Sequence, residues 1–286
     1  MKNPKLKLFV NEKYNLDDFY QLFNSEYKLH EQFLFNTPSN KWFDVILSFK
    51  SEFETGVIKK GSFVFDKSVL HLDNSNHFYL TGFDMPCWVS KEISSKKIMI
   101  LASEPLRNED SWGDSDKYSS ISINTPFSYH SSNINGNEKR SERRHYWDLI
   151  DWLVAYYNAT VYLTDIRKFW FAGWEHYKAF NNSEIHINLF KKELAFFKPD
   201  LVIIFGSRPL NILQTEKLLS SDINLTKIEL PEKGFILKQG LGYKTLPLIH
   251  PSGAAGGPRK QFFDCNHIFG NDQNENYKEI IKRFVN

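Results

Sequence analysis

Four short apolar runs constrain the fold of this 286-residue chain more than any other feature. They occupy residues 97–102, 160–166, 201–206 and 245–250. Helical patterns lie between the first three runs, at 141–157 and 184–197. Alternation of strands and helices is typical of an α/β fold. We therefore predict a doubly wound, mainly parallel four-stranded sheet with helices on both faces.

The first third of the chain lacks this alternation. Residues 16–35 have a helical pattern, and residues 64–72 belong to a mixed stretch that is typical of a hairpin. We predict two parts, a helical or mixed N-terminal extension (1–92) and an α/β domain (93–286). The sequence leaves open whether the extension packs on the sheet or acts as a separate recognition element.

Each predicted strand runs into a polar or conformationally special segment. These segments are Ser103-Glu104-Pro105, Asp165, Gly206-Ser207 and His250-Pro251-Ser252-Gly253. In open α/β sheets, ligands bind outside the carboxyl ends of the strands. The sequence therefore predicts a functional site at this edge of the sheet.

Composition excludes several other classes of protein. The chain has two cysteines, too few for a four-cysteine zinc site or iron–sulfur cluster, so we expect no metal and no cofactor. A net charge of +2 does not by itself indicate a polyanionic partner, but basic residues cluster at 139–144 and 259–260. The N-terminus shows no signal peptide, and no run of about 18 apolar residues is present. We expect a cytoplasmic protein without a membrane or protein partner.

Five segments together resemble the uracil-DNA glycosylase superfamily. ILASEPLR (100–107) is similar to the family's first motif, Gly-Gln-Asp-Pro-Tyr-His, and LIHPSG (248–253) to its His-Pro-Ser motif. FFDCNHIF (262–269) resembles the stretch that follows, and TPFSYH (125–130) the segment with the base-stacking Phe. YLTDIRK (162–168) occupies the place of the base-reading strand. The matches occur in the family's order, so the chain is identified as a divergent member.

The resemblance implies a role for each matched residue. Glu104 stands at the position of the catalytic carboxylate, and His250 at that of the donor to the base O2. A capping or solvated Glu104 and a structural His250 are the alternatives. Phe127 would stack on the flipped base, unless it is a core residue, and Ser103 would line the base pocket.

The resemblance also implies a DNA interface. The candidate DNA contacts are Arg107, Ser207, Ser252, Arg259 and Lys260. Ser207 and Ser252 are equally well read as ordinary turn serines. The implied enzyme is monofunctional, because it uses water and needs no lysine Schiff base.

The positions at which this sequence departs from the family pattern indicate which base is excised. Asp165 stands where the uracil enzymes have Asn. An ionised carboxylate can only accept hydrogen bonds, so it suits the amino group of cytosine, which donates them. Leu106 replaces the Tyr that closes the space beside base C5, and Arg107 replaces a His. We therefore expect excision of a 5-substituted cytosine, hydroxymethylated or glucosylated, from phage DNA as an antiviral defence. A protonated or structural Asp165 leaves uracil repair open, and the altered first motif leaves open a catalytically silent DNA-binding module.

The loop after His-Pro-Ser also departs from the family. Relatives place a bulky Leu there, whereas this chain has only small residues at 253–257. Either another residue such as Arg259 fills the gap left by the extruded base, or the substrate is easily opened or single-stranded.

Overall fold

A computed structural model describes residues 80–85, 87–89, 96–103, 121–123, 144–167, 169–171, 183–251 and 255–285. The strands are β1 (Leu80–Met85), β2 (Cys87–Val89), β3 (Lys96–Ala102), β4 (Ile121–Ile123), β5 (Ala159–Asp165), β6 (Phe169–Phe171), β7 (Leu201–Phe205), β8 (Phe235–Ile236) and β9 (Lys244–Leu248). The helices are α1 (Arg144–Tyr157), α2 (Ser183–Phe197), α3 (Ser207–Thr215), α4 (Gly256–Cys265) and α5 (Gln273–Val285). The predicted helix at 16–35 and the stretch at 64–72 lie outside the described residues.

The main sheet has six strands in the order β2-β5-β3-β7-β9-β8. The four central strands are parallel, and they are the four apolar runs that the sequence predicted as strands. Their continuous apolar character follows from burial on both faces, since every residue of β5 and β7 is buried. The α/β class and the mainly parallel sheet are therefore confirmed.

Two antiparallel edge strands correct the predicted strand number. β2 pairs with β5, and β8 pairs with β9. They contain three and two residues, which is too short for a period-2 pattern to indicate a strand. β2 lies within the range 1–92, so this part of the N-terminal range contributes an edge to the main sheet.

A second, three-stranded sheet has the order β4-β1-β6. β1 is parallel to β4, with Phe83 opposite Ile121, and antiparallel to β6, with Phe83 opposite Phe169. The sequence did not predict this sheet.

Helices cover both faces of the main sheet. Tyr162 and Val202 both pair with Met99, so their side chains point to the same face. The hydroxyl of Tyr162 donates to a carboxylate of α2 on that face. Phe205, three residues after Val202, points to the opposite face, where its ring packs edge-on against Tyr277 of α5. The sheet is therefore wound on both sides.

A buried carboxylate supports the end of β5. Glu193 of α2 is fully buried, and its Oε1 accepts hydrogen bonds from the Tyr162 hydroxyl at 2.9 Å and the Thr164 hydroxyl at 2.7 Å. Thr164 directly precedes Asp165, a predicted site residue. Glu193 therefore joins α2 to the part of β5 that reaches the edge of the sheet.

Replacing Glu193 by Ala should lower the free energy of unfolding by about 2–4 kcal/mol, because two buried hydroxyls lose their acceptor and a cavity remains. Urea denaturation followed by circular dichroism measures the change. The control is Glu279→Ala, since Glu279 forms an exposed pair with Arg283 at 2.7 Å and should change stability by less than about 0.5 kcal/mol. Equal effects of the two substitutions would contradict the supporting role of Glu193.

Candidate functional site

The predicted strand-end residues that the structure describes lie at one edge of the main sheet. Asp165 pairs with Ala102, and the backbone pairing continues past both strands through a bond from Arg167 N to Ser103 O at 3.0 Å. On the other side, Gly206 N donates to the carbonyl of Leu248 at 2.8 Å. The parallel strands therefore bring four predicted site residues to their shared carboxyl edge, namely Ser103, Asp165, Ser207 and His250.

This edge contains the topological switch point of the sheet. The chain goes from β3 to β5 on one side and then crosses to β7 on the other, so the switch point lies between the ends of β3 and β7, where such sheets bind ligands. Ser103 follows β3, and Ser207 follows β7. At about 4.8 Å between strands, β3 and β9 are about 10 Å apart and β5 and β9 about 14 Å.

Asp165 and His250 differ in their exposure. Asp165 is 5% exposed at the end of β5, whereas His250 is partly exposed after β9. The His250 ring packs edge-on against Phe205, with centroids 6.0 Å apart. Phe205 belongs to the face opposite Tyr162, and Asp165, three residues after Tyr162, belongs to the same face as Phe205. Asp165 and His250 therefore belong to one side of the sheet.

Gly206 shapes the backbone beside His250. Its φ of 93° and ψ of 169° lie in a region that is essentially restricted to glycine. A Cβ placed there would lie 3.5 Å from the Cβ of His250, in ordinary contact, so backbone conformation rather than lack of space demands the glycine.

Replacing Gly206 by Ala should destabilise the protein by about 1–3 kcal/mol through backbone strain. Gly256→Ala is the matched control, because Gly256 lies in α4 with open space around its Cβ position and should be neutral or slightly stabilising. Both are measured by urea denaturation. A Gly206→Ala protein as stable as the wild type would contradict the strain.

Helix α5 holds the segment that carries His250. The Tyr277 hydroxyl donates to the carbonyl of Ile249 at 2.8 Å, and Gln273 Nε2 donates to the carbonyl of Pro251 at 3.1 Å. Burial raises the pKa of the Tyr277 phenol, and the positive charge and hydrogen bond of Arg259 oppose that rise. Arg259 therefore lies against Tyr277, at the start of α4.

Basic side chains and helix N-termini lie at the carboxyl edge. The crossover helices α1, α2 and α3 run back from this edge, so their N-termini, the positive ends of their dipoles, face it. α3 begins directly after β7 with no acidic residue in its first turn. Arg167 follows β5 and Arg208 lies in that first turn; the sequence predicted neither as a site residue, although both closely follow strand ends. Lys260 is exposed and pairs with Asp264 at 2.7 Å.

Five predicted site residues cannot be placed. Glu104, Leu106, Arg107, Phe127 and Ser252 lie outside the described residues. In the sequence, Glu104 directly follows Ser103, and Ser252 directly follows Pro251. Their assigned roles stay predictions.

The chain was compared with known proteins. No protein-family model matches it, and no curated protein matches it. Within the described part of the chain, no group of three or more His, Cys, Asp or Glu residues is arranged to hold a metal ion. In the same part, no helix combines the length and apolar character needed to cross a bilayer.

Proposed function

We propose that this protein is a monofunctional DNA glycosylase that hydrolyses the N-glycosidic bond of a flipped-out pyrimidine. The observation that carries the proposal is the order of residues along the carboxyl edge. Ser103, which precedes Glu104, lies at the switch point between Asp165 on one side and His250 on the other. The resemblance to uracil-DNA glycosylases assigns the carboxylate, the base reader and the O2 donor to these three strand ends.

The proposed chemistry follows from where charge develops. Breaking the bond between C1′ and the base nitrogen leaves positive charge on the sugar and negative charge on the base. His250 donates a hydrogen bond to the base O2 and so stabilises the departing anion. The Glu104 carboxylate stabilises the sugar cation and orients the water that attacks C1′. The products are a free base and an abasic site.

The surroundings of the edge support a DNA substrate. Arg167, Arg208, Arg259 and Lys260 lie on segments that begin at or follow the strand ends, together with the carboxylates of Asp165, Asp264, Asp272 and Glu275. Phosphates bind to arginine side chains and helix N-termini. Ser207, in the first turn of α3, offers its hydroxyl and its backbone N–H as hydrogen-bond donors to a DNA phosphate.

The proposed base is a 5-substituted cytosine. A carboxylate at Asp165 accepts a hydrogen bond from the cytosine amino group and repels the O4 of uracil. Leu106, in place of a Tyr, leaves room for a substituent at C5. DNA with hydroxymethyl or glucosylated hydroxymethyl cytosine occurs in certain bacteriophages, so excision would damage invading DNA and spare the host.

Uracil or damaged-base repair is the second candidate. In that case Asp165 is protonated and donates a hydrogen bond to uracil O4. The two candidates share Glu104 and His250 and differ in the base.

A substrate panel tests the proposal. Duplexes and single strands that contain uracil, cytosine, 5-methylcytosine, 5-hydroxymethylcytosine or its glucosylated form are incubated with the protein and then treated with alkali. We expect strand breaks at 5-hydroxymethylcytosine or its glucosylated form, and none with Glu104→Gln. Strand breaks only at uracil would favour uracil repair over excision of a 5-substituted cytosine. Binding without breaks on any substrate would favour a catalytically silent DNA-binding module.

A further inference from the structure

The carbonyl groups on both sides of His250 are bonded to one helix. Ile249 accepts from the Tyr277 hydroxyl at 2.8 Å, and Pro251 accepts from Gln273 Nε2 at 3.1 Å. Gln273 is the first residue of α5, and Tyr277 lies one turn later. The peptide groups that set the direction of the His250 side chain are thus fixed by α5 as well as by β9.

Tyr277 is well placed to act as a rigid anchor. It is fully buried, and its ring packs edge-on against Phe205 at 6.4 Å and Phe263 at 5.1 Å between centroids. Phe205 also contacts the His250 ring. A change at the Tyr277 hydroxyl is therefore transmitted to His250 through the backbone, while the packed rings stay in place.

Arg259 extends this arrangement to α4. The Tyr277 hydroxyl donates to the Ile249 carbonyl, next to His250, and the positive charge of Arg259 opposes the rise in the pKa of this phenol. Arg259 is partly buried, which suits a side chain directed into the protein.

We propose that Tyr277 is a positioning residue that holds His250 in its donating geometry. The inference rests on the proposed glycosylase function and deepens it, because it names the α5 side chain that fixes the direction of the donor to the base. A catalytic donor must be held closely in place, since a displacement of about 1 Å lowers rates by up to about 100-fold.

Tyr277→Phe and Tyr243→Phe form a matched pair for the test. The Tyr243 hydroxyl also donates to a backbone carbonyl, that of Leu194 in α2, at 3.0 Å. Tyr243→Phe therefore removes the same hydroxyl from the same kind of hydrogen bond, on a segment outside α5. Single-turnover base release from the panel's preferred duplex, DNA affinity and the ¹⁵N signals of the His250 ring are measured for both.

Tyr277→Phe should lower the rate of base release by about 10- to 100-fold, leave DNA affinity unchanged and shift the His250 ring signals. Tyr243→Phe should change none of the three. Gln273→Ala, at the partly buried start of α5, provides a second variant that should shift the same ring signals if Tyr277→Phe fails to fold. His250 signals that stay at their wild-type positions in both α5 variants would overturn the inference.

A double-mutant cycle separates positioning from DNA contact at Arg259. If Arg259 acts through Tyr277, Arg259→Ala slows release at unchanged DNA affinity, and adding it to Tyr277→Phe has little further effect. Weaker DNA binding with fully additive effects would instead assign Arg259 to a phosphate. If the wild-type protein releases no base, the glycosylase proposal fails, and the ring signals alone decide whether Tyr277 positions His250.

Discussion

Replacing His250 by Asn is expected to lower the rate of base release by about 100- to 1,000-fold, the usual effect of removing one donor to a developing anion. Asn is shorter and cannot place its amide where the imidazole Nε2 reaches. DNA affinity should stay unchanged, because the lost hydrogen bond forms fully only as negative charge reaches the base O2. Single-turnover assays measure the rate, and fluorescence anisotropy of the same duplex measures the affinity.

His267→Asn is the matched control for this prediction. The His267 side chain is 71% exposed and lies 3.5 Å from Glu229. Its φ of 56° is a conformation that Asn readily adopts, so the substitution should leave folding and rate unchanged. A His250→Asn enzyme that keeps the wild-type rate would remove His250 from the mechanism.

Replacing Asp165 by Asn is expected to change which base is released. An Asn amide both donates and accepts, so it can read uracil, whereas a carboxylate accepts only. The ratio of uracil release to modified-cytosine release should rise by about 10- to 100-fold, in keeping with about 1–3 kcal/mol of discrimination per base-reading side chain. Competition between two labelled duplexes in one reaction measures the ratio directly.

Asp200→Asn serves as its control. Asp200 Oδ2 accepts from the backbone N–H of Lys97 at 2.8 Å, at the amino edge of the sheet, away from the proposed base pocket. Asp200→Asn should leave the ratio of uracil release to modified-cytosine release unchanged. If Asp165→Asn also leaves it unchanged, Asp165 has a structural role, and the modified-cytosine assignment loses its main support.

The sequence predicted the parallel core because its strands are buried on both faces. A strand such as β7, buried at all five positions, leaves a continuous apolar run that is visible without any partner. The edge strands β2 and β8 leave no such trace, since three or two residues are too few to show a period. Strand order depends on hydrogen bonds between strands that are distant in the sequence, so it cannot be predicted from any single segment.

The candidate site was predictable to the extent that it lies at strand ends. Asp165 ends β5, and Ser103, Ser207 and His250 closely follow the ends of β3, β7 and β9, so chain position alone indicated them. Glu193 and Tyr277 were missed because their roles depend on a helix side chain that reaches another layer of the fold. In the sequence, Glu193 looks like an ordinary charged residue of a helix.

Direct detection of the free base tests the central claim. Duplex DNA with 5-hydroxymethylcytosine is incubated with the wild-type protein and with His250→Asn, and small molecules in the filtrate are identified by mass spectrometry. The account predicts intact 5-hydroxymethylcytosine base from the wild-type reaction, in equal amount to abasic sites, and far less from the variant. DNA that is bound but releases no base, from this duplex or from the rest of the panel, would contradict it.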